Sequence, residues 1–224
     1  MKLTYHGHSC FAIETDNHKL WLDPFITGNP STTIKAEEVK ADYILLSHGH
    51  EDHYGDTNTI AKNTGAVVIA NFEIASYAQK HGCKMHPLHI GGGNTFPFGH
   101  AKLTIAFHGS SLPDGSYGGQ PAGILLTIEG KKIYFAGDTA LFYDMTLIGE
   151  EGIDLAILPI GDNFTMGPDD AVKAVNLLKP KHVIPMHYDT WELIAQDAED
   201  WVNRVSRELG VRGTVLESGQ TFNL

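Results

Sequence analysis

Ser47-His48-Gly49-His50-Glu51-Asp52-His53 follows directly on the apolar run Tyr43-Ile44-Leu45-Leu46. A short aliphatic run ended by Ser and Gly reads as a buried strand leaving a sheet, so the polar heptad sits on a strand-end loop. His48 and His50, two residues apart, can face one ion while the chain is still extended. Gly49 lets the chain turn tightly, and Asp52 and His53 follow as it turns, facing a second position beside the first. Imidazole suits Zn, Fe, Ni or Mn, and the carboxylate adds a hard oxygen ligand. A lone His on such a loop is ordinarily solvated surface. Three imidazoles and an Asp at this spacing, behind a buried strand, make metal binding the better reading.

The same punctuation recurs further along the chain. Ile105-Ala106-Phe107 leads to His108, Ile133-Tyr134-Phe135 to Asp138 within Gly137-Asp138-Thr139, and Val183-Ile184-Pro185-Met186 to His187. Chemistry gathers at strand ends because the sheet is rigid and the loops beyond it are free. Any one of these residues alone is more often a hydrogen-bonded structural residue; together they read as one site. Asp23, closing Leu20-Trp21-Leu22, is placed to accept a hydrogen bond that fixes an imidazole's tautomer, or else is a plain turn residue before Pro24.

Between these points the chain alternates short strands and helices. Lys2–Tyr5, Ser9–Thr15 and Lys19–Leu22 form a meander with antiparallel pairing, and Thr27–Lys40 is a polar surface loop. Helices are predicted over 56–63, 73–81 and 141–148, and strands over 66–70, 84–88, 103–107, 155–160 and 182–186. Gly123–Ile128 and Lys132–Ala136 make a hairpin, and Gly91–Asn94 a turn. Pro168-Asp169-Asp170 opens a helix that stops before Pro180. Trp191, Ile194, Ala198, Trp201, Val205 and Leu209 recur at helical spacing and predict one long amphipathic helix. Val215-Leu216 and Phe222 suggest two last short strands. His6 and His8, in the turn after the first strand, read as structural, with His8 a candidate substrate contact. His81, His86, His89, His100 and His182 have no partners at ligand spacing. The Asp162–Met166 loop either walls the pocket or is ordinary loop.

Composition narrows the function. A chain of 224 residues with 42% apolar and 19% charged residues is most simply one soluble domain, 1–224. The net charge of −11, with 16 basic residues and no basic block, argues against nucleic-acid binding. Cys10 and Cys83 are too few for a disulfide framework. No h-region follows Met1 and no apolar run approaches the ~20 residues of a membrane span, so a cytoplasmic protein is expected. Thirteen His is the anomaly.

The order H-x-H-x-D-H, lone His, Gly-Asp-Thr and final His resembles the metallo-β-lactamase superfamily over nearly the whole chain. Tyr5-His6-Gly7-His8-Ser9 and Ile184-Pro185-Met186-His187-Tyr188 are similar to the metal-dependent hydrolases (UPF0173-like) related to ascorbate-phosphate lactonase. The resemblance implies an α/β fold of αββα layers, two mixed β-sheets packed face to face with helices outside. It implies that His48, His50 and His108 bind one divalent ion, that Asp52, His53 and His187 bind another, and that Asp138 bridges them. Asp52 and Asp138 are then the catalytic carboxylates. Zn fits first, with Mn, Fe or Ni as alternatives.

Two ions in such a set would supply a metal-bound hydroxide at neutral pH. The expected substrate is a small anionic ester, phosphodiester or lactone, since an acidic chain repels polyanionic polymers while two cations attract one small anion. Neither a nucleic acid nor a membrane is expected as partner, and homo-oligomerisation is left open. Two other readings compete. A di-iron redox protein of this fold would carry Glu where His50 stands and a flavin domain, and a non-enzymatic scaffold would have lost ligands. A secreted antibiotic-degrading lactamase would have Cys where Asp138 stands.

Overall fold

The computed structural model describes residues 1–224 and contains two seven-stranded mixed sheets. The first comprises β1 (Lys2–Tyr5), β2 (Phe11–Glu14), β3 (Lys19–Leu22), β4 (Tyr43–Leu45), β5 (Val67–Asn71), β6 (Lys84–Leu88) and the last strand β14 (Thr221–Asn223). The second comprises β7 (Gly93–Phe96), β8 (Gly99–Ile105), β9 (Ala122–Ile128), β10 (Lys131–Phe135), β11 (Leu155–Pro159), β12 (His182–Met186) and β13 (Arg212–Gly213). Each sheet is an antiparallel meander continued by parallel strands. In the first, β14, β1, β2 and β3 pair antiparallel and β4 to β6 add in parallel. In the second, β7 to β10 pair antiparallel and β11 to β13 add in parallel.

Period-two patterning explains the layering. Leu3, Phe11, Ile13, Leu20, Leu22, Leu45 and Ile69 of the first sheet join the core shared with the second. Their alternates Ala12, Trp21, Ile44, Val68 and Ala70 face a separate core, beneath helices α2 (Thr57–Thr64) and α3 (Phe72–Lys80). Alternate residues of a strand point to opposite faces, so a sheet covered on both sides needs both sets apolar. On the other side α4 (Met145–Gly149), α5 (Pro168–Leu178) and α6 (Ala198–Leu209) cover the second sheet. The αββα sandwich expected from the resemblance is the observed architecture. No helix is long and apolar enough to cross a membrane.

Four expectations are corrected. The helix predicted from Trp191 begins only at Ala198, where the Asp197 side chain accepts from the Asp200 N–H and caps it. Before it, Asp189 holds φ +55° and its carboxylate accepts from Gln196 N at 2.8 Å, turning the chain away from the helix axis. The predicted Gly91–Asn94 turn gives way at Gly93, which opens β7; a Cβ there would meet the His100 ring at 2.6 Å. Val215-Leu216 is not a strand; β13 lies at Arg212–Gly213. Only Met145–Gly149 of the predicted 141–148 helix is helical.

Candidate metal centre

Parallel strands all emerge at one edge, and the polar residues singled out in the sequence follow their ends. Asp23 follows β3, His48 to His53 follow β4, His108 follows β8, Asp138 follows β10 and His187 follows β12. The second half of the heptad is one helical turn, α1 (Glu51–Tyr54), which carries Asp52 and His53 one after the other. Gly49 is not in a left-handed conformation. A Cβ there would meet the Ser111 carbonyl at 3.0 Å, so glycine lets the Ser110-Ser111 loop approach and its N–H donate to Ser110 Oγ at 3.1 Å. Gly137 needs both freedoms, with φ +60° and only 2.6 Å from a would-be Cβ to Ser47 Cβ.

The strand-end residues form two groups. The ligand atoms of His48, His50 and His108 lie within 4.8 Å of one another, and so do those of His8, Asp52, His53 and His187. Asp138 stands between the groups. Its Oδ2 is 3.5 Å from His108 Nε2 and 3.0 Å from His187 Nε2, and its Oδ1 is 3.3 Å from His53 Nε2. Asp23, fully buried, accepts from Ser47 N at 2.8 Å, from the Ser47 hydroxyl and from His53 Nδ1 at 2.7 Å. Because the Ser47 hydroxyl proton goes to Asp23, its oxygen can accept the His48 Nδ1 proton at 2.9 Å. One carboxylate therefore turns the Nε2 of both His53 and His48 inward.

His8, read from the sequence as structural with a substrate contact as the alternative, lies inside the cluster. It is completely buried in the second group, with Nε2 3.1 Å from Asp52 Oδ2 and Nδ1 2.7 Å from Thr190 Oγ1. Its ring lies 4.1 Å from that of His187, and its carbonyl accepts from His187 N at 2.8 Å. His6, its neighbour but one, points elsewhere and stacks on Trp21 at 4.8 Å. His8, Asp23 and His187 all hold positive φ, at 58°, 42° and 55°. Left-handed non-glycine residues cost on the order of 1 kcal/mol or more each, a strain concentrated at this edge.

Electrostatics differ between the groups. Burial pushes His48 well below the usual imidazole range and lowers His50 and His108 too. For His53 burial acts the same way, yet the Asp138 and Asp23 carboxylates outweigh it and hold the ring well above that range. Asp138 is held correspondingly low: burial opposes ionisation, and the charges of His187 and His53 overcome it. Burial likewise opposes ionisation of Asp52, but the His8 hydrogen bond and the His53 charge keep it below the carboxylate range.

These residues fit divalent cations. His53 Nε2 and Asp138 Oδ1 are buried without a hydrogen-bond partner. Buried polar atoms are rarely left so, because desolvation costs about 1–3 kcal/mol. His48 Nε2 and His50 Nδ1 lie 3.0 Å apart, a separation two lone pairs do not keep without a proton or cation to share. Above the cluster opens a cleft of about 450 Å³ with Asp52, His50, His108, Asp138 and His187 on its floor and Phe164, Trp191 and Leu193 on its walls. The Asp162–Met166 loop thus contributes Phe164 to the wall. Ser110 is occupied structurally, its hydroxyl donating to the Gly118 carbonyl. Cys10 and Cys83 are buried free thiols.

The architecture, the strand-end cluster and the order of its ligands along the chain define a metallo-β-lactamase-type protein. A model of the β-lactamase superfamily domain matches residues 2–187, and the chain belongs to that superfamily. Within it, the chain belongs with the UPF0173 metal-dependent hydrolases. It is 55% identical to the one from Bacillus velezensis and 56% identical to the one from Bacillus pumilus, in both cases covering 100% of either chain. Among solved structures, Igni18, a metallo hydrolase from the hyperthermophilic archaeon Ignicoccus hospitalis, superposes with a TM-score of 0.90 at 36% identity, over 100% of this chain and 98% of that one.

Proposed function

We propose that residues 1–224 act as one hydrolase domain that cleaves a small ester-type substrate, a phosphodiester, lactone or other small anionic ester, at a centre of two divalent ions. The observation that carries this reading is Asp138, whose Oδ2 lies 3.5 Å from His108 Nε2 of the first group and 3.0 Å from His187 Nε2 of the second, while Oδ1, 3.3 Å from His53 Nε2, has no hydrogen-bond partner. A carboxylate standing between the two groups would supply one negative charge to offset two cations. His48, His50 and His108 would hold one ion and Asp52, His53 and His187 the other, with Zn the best match to the imidazole-rich set. Two such ions would lower the pKa of a shared water and polarise the ester oxygen.

The chain's own residues do the rest. Asp23 fixes His53 directly and His48 through Ser47, so both rings turn Nε2 toward the centre, where His53 would give up its Nε2 proton on binding an ion. His8, held by Thr190, donates to Asp52 Oδ2 and fixes that carboxylate where it lines the cleft. The buried Asp138 stays ionised and keeps positive charge concentrated at the cleft floor. Hydrolysis adds the water's hydroxyl to the acyl carbon or phosphorus and leaves its proton on the departing alcohol. No side-chain nucleophile competes, because Ser110 is spoken for and both thiols are buried.

Elemental analysis and chelation test the reading together. Protein purified without chelator should carry two transition-metal ions per chain, lose ester hydrolysis on chelation and regain it with Zn or Mn. Activity that survives thorough metal removal would refute the mechanism.

A further inference from the structure

The walls of the cleft are unlike its floor. Phe164, Trp191 and Leu193 are 51%, 42% and 68% exposed, and all three line the same opening above the ionisable cluster. Single exposed apolar residues are ordinary on any protein surface. Three large ones converging on one cleft mark a binding surface, because each keeps apolar area in water that folding alone would have removed.

Each is held in place by local structure and has no inward position left to take. On the Phe164 loop the interior place belongs to Met166, 2% exposed, whose N–H donates to Thr139 O at 3.0 Å. Asp162 and Asn163 adopt φ of 59° and 46°, and the Asp162 N–H closes the loop onto Met166 O at 3.1 Å. On the turn after β12 the interior place belongs to the fully buried Ile194, which leaves Leu193 outward. Trp191 rests edge-on against His8 at 5.0 Å and tilted on Phe25 at 6.4 Å. A second observation concerns charge. No Lys or Arg lines the cleft, so a substrate with a polyphosphate or several carboxylates would find no side-chain cation to meet it.

We infer that the substrate is an ester carrying one apolar substituent, seated between Phe164, Trp191 and Leu193, with its only charge confined to the reacting group over Asp52 and Asp138. This rests on the hydrolase reading and narrows it away from sugar phosphates and nucleotides. The apolar wall and the cluster floor line the same opening, so one ester can face both.

The test is a homologous series on metal-loaded protein: p-nitrophenyl acetate, butyrate and octanoate. Specificity, read as kcat/KM, should climb along the series by about two- to fourfold per methylene seated, the share of a fully buried methylene that an open cleft provides. Phe164→Ala and Leu193→Ala should each lower the octanoate-to-acetate ratio by about fivefold or more. A parallel arm reads binding without turnover, following tryptophan fluorescence on addition of methyl-, butyl- and octylphosphonate. The longest chain should bind most tightly, and Trp191→Phe should remove most of the signal change. A flat ester series with phosphonates bound equally would overturn the apolar seat and leave the hydrolase reading standing. A protein that turns over no ester yet prefers octylphosphonate would overturn the hydrolase reading and support the seat. A dimer in sedimentation that Leu193→Asp dissociates, alongside a flat series, would assign the rim to a second copy and overturn the proposal.

Discussion

The two imidazole groups at the sheet edge solve the problem of holding a cation in opposite ways. His48, His50 and His108 have no carboxylate of their own, and burial, helped by the neighbouring imidazoles, holds them below the usual imidazole range. His53 and His187 share their group with Asp52, and Asp23 and His8 support it from behind. There the protein brings negative charge before any metal arrives, so His53 retains a proton in the metal-free chain. The first group is neutral and ready; the second is already charge-paired. Metal entry into the second must displace what holds it together.

The largest effect should come from the residue common to both. Asp138→Ala should abolish turnover and weaken both ions, and full occupancy of either ion in elemental analysis would assign Asp138 to one group alone. The pH dependence should then separate the groups. His53 holds its folded-state proton above the unfolded imidazole value, so in the metal-free protein this contact stabilises below about pH 6.5 and is lost as pH rises through the higher folded value. Metal binding at the second group should therefore release that proton, with affinity rising about tenfold per pH unit while His53 is protonated. Calorimetry in buffers of different ionisation enthalpy reads the proton directly, and release confined to the first group would reverse the comparison.

Smaller effects should follow from the supporting residues. Asp23→Ala should weaken metal binding or activity by about 10–100-fold, because the Nε2 of His53 and, through Ser47, of His48 lose their orientation. His8→Gln should act at the low end of that range and on the second group only, read as a selective loss of one ion; an equal loss of both would remove His8 from that group. His86→Ala and His89→Ala should leave metal content unchanged. The least effect concerns His6, pushed down to about 4 by burial against Trp21. Its neutral form is needed in the fold, so that stability is present above the unfolded value of about 6.5 and lost as pH falls toward 4. Urea midpoints between neutral pH and about pH 5 should fall less steeply in His6→Phe than in the wild type.

The sequence by itself determined the strands and the order of the strand-end residues. Leu20, Leu22, Leu45 and Ile69 face one core while Trp21, Ile44 and Val68 face another, and this period-two pattern is a local property of the chain. The H-x-H-x-D-H heptad is local too, so its spacing and the turn it needs were both legible. Tertiary structure alone decided what His8 and Trp191 do. His8 looks like any turn histidine until the turn after β12 brings Thr190, 182 residues away in sequence, and His187 beside it, a meeting that leaves no periodic trace. Trp191 fell in register with a helical stripe, yet the left-handed turn at His187 and Asp189 swings it out over the cleft. Periodicity reports which residues share a face. It cannot report what stands opposite that face, and at this edge the facing partner sets the chemistry.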